Sequence, residues 1–326
     1  MVKLTDYLYN GDTVIQILHK YFNDLNKSID ETGNEIDKVH TMFLLQQIDL
    51  LEHNDFITSQ AERIRQLYMY MTNEYPSLSF TFKGRIKSLI RAEEKFNGYV
   101  IEYIYDGYKK TGHIPDIEEL KKKLDGFRDL IAYRIVIQVP KCNIKDDNER
   151  RKKELELLYD ITNILPDFLS KRGFSIVESS HNKNHSKLLK EDLYPYVRDY
   201  VTNPSENGYK SLHLTLHDDI ADCYIELQLR TKEMDDFAEI GEANHINYEI
   251  KQNEARRRRE EIKEGTCIYF DEALEREKLL QDIDLSKVDV NMFGASSNSN
   301  MNDGCGLYKG RMITPFEHLS RFQSDK

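Results

Sequence analysis

Two segments of alternating residues, joined by a short turn, constrain the fold of this chain more than any other feature. In Tyr209–His217 leucines alternate with polar residues, and Ile225–Arg230 repeats the alternation. A period of two predicts β-strands that each have one apolar and one polar face. If Asp218–Asp222 forms the turn of a hairpin, leucines line one face of the sheet and polar side chains share the other.

The polar face of this predicted hairpin combines a phenol, hydroxyls, imidazoles, a carboxylate, an amide and a guanidinium. They belong to Tyr209, Ser211, His213, Thr215, His217, Glu226, Gln228 and Arg230. A solvated strand face more often repeats Lys, Glu and Thr. The mixture therefore favours a binding or catalytic site, and a solvated face is the alternative.

The composition is typical of a folded protein of the cytoplasm. The chain has 326 residues, of which 39% are hydrophobic and 32% charged, and its N-terminal residues lack the apolar segment of a signal peptide. No apolar run reaches membrane-spanning length, and the four cysteines form no C-x-x-C pair, which argues against a zinc site or a disulfide framework. Because the formal net charge is −11, an anionic ligand needs a local basic cluster.

Such a cluster begins at Lys83. The segment KGRIKSLIRAEEKF contains Arg85, Lys87, Arg91 and Lys95, and we expect it to be one helix with the last three on one face. The positive charges outnumber the two glutamates of the segment. Phosphate binding is therefore favoured over a solvated helix face.

A further strand is predicted at Tyr133–Val139, which ends before Pro140. Asp129 precedes this strand at the expected edge of the sheet, where the acids of active sites often lie. A carboxylate at the end of a helix is the alternative.

The two ends of the chain carry helical apolar patterns without site chemistry. We expect a helical region over residues 1–78, a central domain over 79–251, and a helical and flexible region over 252–326 whose last twenty residues dock as a short helix. Residues 294–306 have the composition of a linker. Glutamates flank the basic run 256–259, which favours a solvated helix or a subunit contact over RNA binding.

Together these residues resemble the RelA/SpoT family of guanosine polyphosphate synthetases over residues 83–251. Four blocks occur in the order of the family: RIKS at Arg85–Ser88, DLIAYR at Asp129–Arg134, NGYKSLH at Asn207–His213, and ELQLRT from Glu226, followed by EMDDFAEIGEANH. The Tyr-x-x-x-His and Glu-x-Gln-x-Arg-Thr spacings within the blocks are also those of the family.

The resemblance implies transfer of a pyrophosphate group from ATP to the ribose 3′-hydroxyl of GDP or GTP, which gives ppGpp or pppGpp and AMP. It implies that Asp129 binds Mg²⁺, and that Glu226 assists the metal and takes the proton of the attacking hydroxyl.

The resemblance also implies separate sites for the two nucleotides. For ATP, Arg85 and Arg134 are expected to sandwich the adenine, and Lys87, Ser88 and Lys95 to belong to the basic block that clamps the phosphates. For the guanine nucleotide, Tyr209 is expected to stack on the base within a pocket formed by Asn207, Lys210, His213 and Gln228.

The chain departs from the family pattern at several points. Arg91 stands where many relatives have serine, and KLDG before Asp129 fits neither tetrapeptide of the long members. Residues 1–82 contain no signature of a His–Asp hydrolase domain. The sequence therefore predicts a small, synthetase-only member with helical flanks.

The expected fold is α+β, with a mixed β-sheet flanked by helices and a nucleotidyltransferase-like core. The expected partners are ATP, GDP or GTP, and further copies of the chain in a homo-oligomer, for which a tetramer is one candidate; no membrane and no nucleic acid is expected. Two alternatives stay open. One is a toxin-type relative that pyrophosphorylates tRNA 3′ ends or makes adenosine alarmones, with tRNA or an antitoxin as partner. The other is a non-catalytic nucleotide sensor, which the presence of Asp129 and Glu226 disfavours.

Overall fold

The computed structural model divides the chain into two compact units. It describes residues 1–52, 54–87, 89–124, 128, 130–180, 182, 184–205, 207–239, 268–284, 287–288, 290–291, 307–308, 311–313 and 319–321, without the side chains of some residues in helices and strands. The first unit comprises residues 1–56, 86–127 and 257–313, and the second comprises 57–85, 128–256 and 314–326.

The described part of the chain forms α-helices, β-strands and two short 3₁₀ helices. The described α-helices are α1 (Val14–Thr32), α2 (Glu35–Glu52), α3 (Asn54–Glu74), α4 (Leu89–Thr111), α5 (Ile117–Leu124), α6 (Asp147–Ser170), α7 (Lys232–Glu239) and α8 (Ile268–Gln281). The described strands are β1 (Asp12–Thr13), β2 (Ser79–Ile86), β3 (Ile131–Gln138), β4 (Phe174–Val177), β5 (Val197–Asp199), β6 (Leu212–Asp218), β7 (Cys223–Thr231), β8 (Val290–Asn291), β9 (Leu307–Tyr308), β10 (Arg311–Ile313) and β11 (Leu319–Arg321). Short 3₁₀ helices cover Leu4–Tyr7 and Glu191–Leu193.

The first unit is mainly helical. Its first helix, α1, begins at a capping box, in which the Thr13 hydroxyl accepts from the Gln16 backbone amide at 3.3 Å and the Gln16 side chain accepts from the Thr13 amide at 2.9 Å. The helix ends at Gly33, whose φ of 67° is the left-handed conformation that suits glycine. Helix α1 packs on α2, and α4 packs on α8, around a core that includes Tyr21 and Phe96.

The second unit is built on a mixed sheet with the strand order β4-β6-β7-β3-β2, to which β5 adds beside β6 and β11 beside β2. Strands β3 and β7 are parallel, whereas β6 and β7 form the antiparallel hairpin that the sequence predicts. Helix α6 packs against β3, β4 and β7. The expected α+β fold, with a mixed sheet and flanking helices, is confirmed.

The leucine-rich face of the hairpin is fully buried. Its members are 3% exposed or less: Leu212, Leu214, Leu216, Ile225, Leu227 and Leu229. At the turn the Asp218 carboxylate accepts from the backbone amides of Ile220 and Ala221 at 3.0 and 3.1 Å, and from Arg63 Nη1 at 2.8 Å. These bonds fix the turn and hence the register of both strands.

Two sequence-based expectations about secondary structure are wrong. The basic segment is not one helix, because Arg85 belongs to strand β2 and helix α4 begins only at Leu89. Strand β2, SFTFKGRI, contains the first four residues of the segment; it alternates and buries Phe80 and Phe82, so the period of two decides the local structure there. The last twenty residues contain the short strands β9, β10 and β11 where a helix was expected.

Some expectations concern residues outside the described ranges, among them the basic run 256–259 and the linker 294–306. None of the described helices combines the length and the apolar character needed to cross a membrane.

Candidate active site

The second unit places a row of polar residues across four strands of its sheet. Arg198 of β5 pairs with His213 of β6, and His213 pairs with Gln228 of β7. Gln228 in turn pairs with Arg134 of β3. Because paired residues of neighbouring strands point to the same face, the polar face predicted from the hairpin extends to β5 and β3.

Glu226 lies on this face and is held by three side chains. Its Oε1 accepts from Arg198 Nη2 at 2.8 Å and lies 3.3 Å from His213 Nδ1, while its Oε2 accepts from Gln228 Nε2 at 2.6 Å. Burial raises the pKa of the carboxyl, but the charges of His213 and Arg198 and the hydrogen bonds outweigh burial and hold the pKa well below its usual range. Glu226 is therefore ionised at neutral pH.

The phenol of Tyr209 contacts the other side of the His213 ring. Its oxygen lies 2.9 Å from His213 Nε2 and accepts from Arg230 Nη2 at 2.6 Å. Burial raises the pKa of Tyr209, but the positive charges of His213 and Arg230 outweigh burial and bring the pKa to about 8. A continuous set of polar contacts thus runs from Glu226 through His213 to Tyr209.

The loop before β6 presents Tyr209. Asn207 Oδ1 accepts from Ser205 Oγ at 2.7 Å and from the Tyr209 amide at 3.3 Å, so Asn207 shapes the loop. Gly208 has a φ of 76°, and a Cβ at this position would lie 3.5 Å from the Phe237 ring. Lys210 is exposed.

Arg134 is buried beside helix α7. Its Nη1 donates to Asp235 Oδ1 at 3.0 Å and to Glu239 Oε1 at 2.7 Å. Two carboxylates thus hold the edge of this guanidinium.

Three further residues belong to this cluster although the sequence does not single them out. They are Arg198, which binds Glu226; Tyr200, whose ring centroid lies 5.0 Å from that of His213; and Asp235, which binds Arg134. The signal for the first two was the alternation in YVRDY, but β5 is only three residues long and too short to stand out. Asp235 carried no signal of its own.

The residues predicted to bind ATP are divided between the two units. Lys87 and Lys95 belong to the first unit, whereas Arg134 and the Glu226 cluster belong to the second. Lys87 is half-buried, and Lys95 Nζ lies 5.2 Å from the centroid of the Tyr99 ring.

For the other residues of the predicted ATP and metal sites the structure gives no side-chain contacts. Arg85 lies in strand β2, but its side chain is not described, and Ser88 and Asp129 lie outside the described residues. Arg91 is described, and its Nη1 donates to Glu94 Oε2 at 2.7 Å.

Of the two predicted magnesium ligands, Glu226 is described and Asp129 lies outside the described residues. Within the described ranges no group of three or more metal-ligating side chains comes together. Both oxygens of Glu226 accept from side-chain donors, one of them a guanidinium, so a cation would have to displace Arg198 or Gln228.

The comparison with known families identifies this region. Residues 101–253 match the family model described as the region found in RelA/SpoT proteins. This part of the chain belongs to the RelA/SpoT family. The match contains Arg134, Glu226, the Tyr209 loop and the three cluster residues that the sequence did not single out.

Curated RelA/SpoT relatives are similar over most of the chain. GTP pyrophosphokinase rsh of Brucella ovis is 44% identical over 296 residues, which cover 75% of this chain and 38% of the relative. The guanosine-3′,5′-bis(diphosphate) 3′-pyrophosphohydrolase of Borreliella burgdorferi is 43% identical over 277 residues, which cover 72% of this chain and 42% of the relative. The chain thus spans about two fifths of the length of these relatives.

A solved structure also matches. Small alarmone synthetase 2 from Bacillus subtilis is 18% identical, with a TM-score of 0.31 over 69% of this chain and 90% of that chain.

Proposed function

We propose that this chain is a GTP diphosphokinase, which transfers a pyrophosphate group from ATP to the ribose 3′-hydroxyl of GDP or GTP. The acceptor oxygen attacks the β-phosphorus of ATP, the bond between the α- and β-phosphates breaks, and AMP leaves. The observation that carries the proposal is the arrangement of Glu226 on a strand of the RelA/SpoT region, joined through His213 to the Tyr209 loop.

Tyr209 and its loop are proposed to bind the guanine nucleotide. The phenol oxygen is fixed by His213 and Arg230, so the ring is oriented before a base arrives. A pre-oriented aromatic ring loses little conformational entropy on stacking. Asn207 and Gly208 give the loop its shape, and Lys210 is exposed and able to meet a phosphate.

Glu226 is proposed to take the proton of the 3′-hydroxyl. Its carboxylate is ionised at neutral pH because positive neighbours hold its pKa low, which also makes it a weak base. The hydroxyl must therefore replace one of the donors now on Glu226, and loss of the Arg198 or His213 contact would raise the basicity of the carboxylate.

ATP is proposed to bind through basic residues. Arg134 stacks on the adenine with its edge held by Asp235 and Glu239. Arg85 is proposed to stack on the opposite face of the adenine. Lys87, Ser88 and Lys95 are proposed to contact the phosphates, because a protein of net charge −11 needs local positive charge for a triphosphate.

Several further features are proposed on the resemblance alone. They are a Mg²⁺ ion bound by Asp129 with Glu226, a catalytic domain over residues 79–251, a cytoplasmic location and assembly into a homo-oligomer. Light scattering with and without residues 294–326 tests the assembly. Titration of Mg²⁺ against wild type and Asp129→Asn tests the metal.

The experiment for the activity is a panel of acceptors. The purified chain is incubated with ATP labelled at the β- and γ-phosphates and with GDP, GTP, ADP or tRNA, and products are separated by thin-layer chromatography. Label on GDP or GTP supports the proposal. Label on tRNA or ADP would replace it with the toxin-type reading, and no transfer at all would favour a nucleotide sensor.

A further inference from the structure

A single carboxylate oxygen connects the two arginines of the candidate site. Asp235 Oδ1 accepts from Arg134 Nη1 at 3.0 Å and from Arg230 Nη1 at 3.2 Å. All three residues are buried, with 4% of Asp235, 7% of Arg134 and 2% of Arg230 exposed. Two buried guanidinium groups repel each other, and the shared carboxylate offsets that repulsion.

The two arginines belong to the proposed sites of different nucleotides. Arg230 Nη2 donates to the Tyr209 phenol at 2.6 Å, and its guanidinium lies 4.8 Å from the Tyr209 ring centroid. Arg134, on the neighbouring strand, is the residue proposed to stack on the adenine of ATP. Asp235 therefore stands between the donor side and the acceptor side of the reaction.

Local structure explains why Asp235 reaches both arginines. Helix α7 begins directly after β7, the strand that carries Arg230, and the Thr231 hydroxyl accepts from the Met234 amide at 3.3 Å in its first turn. Strand β3, which carries Arg134, lies parallel to β7. One turn of helix is thus enough to bring a carboxylate between the two strands.

We propose that Asp235 is a positioning residue that couples ATP binding to binding of the guanine nucleotide. Stacking of adenine fixes the guanidinium of Arg134, which fixes its partner Asp235, then Arg230 and the phenol of Tyr209. By linkage the effect is reciprocal, so each nucleotide tightens the binding of the other by the same factor. This inference rests on the proposed function, because it uses the proposed positions of both nucleotides.

The test measures the coupling directly. GDP is titrated calorimetrically into the protein with and without α,β-methylene-ATP, in which the bond that breaks cannot be cleaved. We expect the analogue to lower the Kd of GDP about tenfold in wild type, within the usual range for coupled sites. In Asp235→Asn the factor should fall close to one, whereas a residue with a merely structural role would lower the thermal stability and leave the factor unchanged.

Two further variants secure the interpretation. Asp236→Asn is the matched control, because Asp236 is the next residue of the same helix, has a side chain that is 49% exposed and is paired with Lys232. It should keep the wild-type factor. Tyr209→Phe keeps the Asp235 carboxylate and the aromatic ring but removes the oxygen that Arg230 contacts, so it should also lose the coupling. It carries the test even if Asp235→Asn fails to fold.

Product formation from ATP and GDP is measured on the same wild-type sample. If ppGpp forms but the coupling factor is close to one in wild type, or is unchanged in both Asp235→Asn and Tyr209→Phe, the coupling is refuted and the proposed function stands. If no pyrophosphate is transferred by wild type, the proposed function and the coupling both fall.

Discussion

In each unit of the molecule a glutamate, a histidine and a tyrosine are in contact, and the two groups are built differently. In the helical unit Glu93 is the centre, with Tyr21 Oη 2.9 Å from its Oε1 and His40 Nε2 2.7 Å from its Oε2. In the sheet unit His213 is the centre, 3.3 Å from Glu226 and 2.9 Å from the Tyr209 phenol.

The surroundings of the clusters differ more than their residue types. Glu93 and His40 are 1% and 0% exposed, and the His40 ring stacks on Phe96 at 4.2 Å between centroids. The Glu226 side chain is 13% exposed, and Tyr209 sits on a loop. The helical cluster is closed by packing, whereas the sheet cluster adjoins a loop and strand ends. Similar residue types therefore serve the fold in one unit and are proposed to serve chemistry in the other.

The largest loss of activity is expected for a substitution in the sheet cluster, at Glu226. Glu226→Gln should lower the rate of AMP release by about 10²–10⁴-fold, because the proton acceptor is lost while the side chain keeps its shape. Circular dichroism should stay close to wild type, whereas the unfolding midpoint should fall, because Arg198 and His213 lose their charged partner. A rate within a few-fold of wild type would remove Glu226 from the chemistry.

The next largest effects are expected on the affinities for the two nucleotides. Tyr209→Ala should weaken GDP binding by about 1–3 kcal/mol, the usual value of stacking on one base, and should spare binding of ATP alone. Arg134→Ala should do the reverse. Calorimetry with each nucleotide alone checks both variants, and equal losses for both nucleotides would mean that the two pockets are assigned wrongly.

A third variant addresses the helical cluster. Glu93→Gln should lower the free energy of unfolding by about 1–3 kcal/mol, because buried donors lose a charged acceptor. Urea denaturation measures the change. The rate of transfer per folded molecule should stay at the wild-type value, and a large loss of rate in fully folded protein would show that this cluster is not purely structural.

The smallest effect concerns ionisation. Tyr209 should ionise near pH 8, before Tyr103 and Tyr159, whose pKa values are both raised to about 12 by burial and by acidic neighbours. Because the pKa of Tyr209 in the folded state is below its value in the unfolded chain, its ionisation adds stability above pH 8, and this contribution is lost as the pH falls through 8. Ultraviolet difference titration of wild type and Tyr209→Phe isolates the transition, and identical curves below pH 9 would contradict it.

The alternation of apolar and polar residues was sufficient to predict the secondary structure that depends on local sequence alone. The alternation of Tyr209–His217 and Ile225–Arg230 is enough to predict the hairpin and its polar face, since a period of two fixes both. The prediction for the basic segment was wrong because its charges suggested a helix, while the buried residues Phe80 and Phe82 just before it begin a strand that continues into it.

Contacts between residues that are far apart in the chain could not be predicted from the sequence. Arg198 meets Glu226 only because the three-residue strand β5 pairs with β6, and Asp235 meets two arginines only because β3 runs beside β7. The partners His40 and Glu93 lie 53 positions apart, and residues 1–78 gave no sign of a polar cluster. Such contacts depend on topology and are visible only once the chain is folded.

The position of the transferred group is the direct test of pyrophosphate transfer by this chain. ATP and GDP are incubated with the wild-type chain, and the products are examined by ³¹P NMR and quantified against AMP. We expect a guanosine that carries diphosphates at both the 5′ and 3′ positions, formed in amounts equal to AMP. Release of ADP with a single phosphate transferred, or of AMP without a 3′-diphosphate on guanosine, would contradict it.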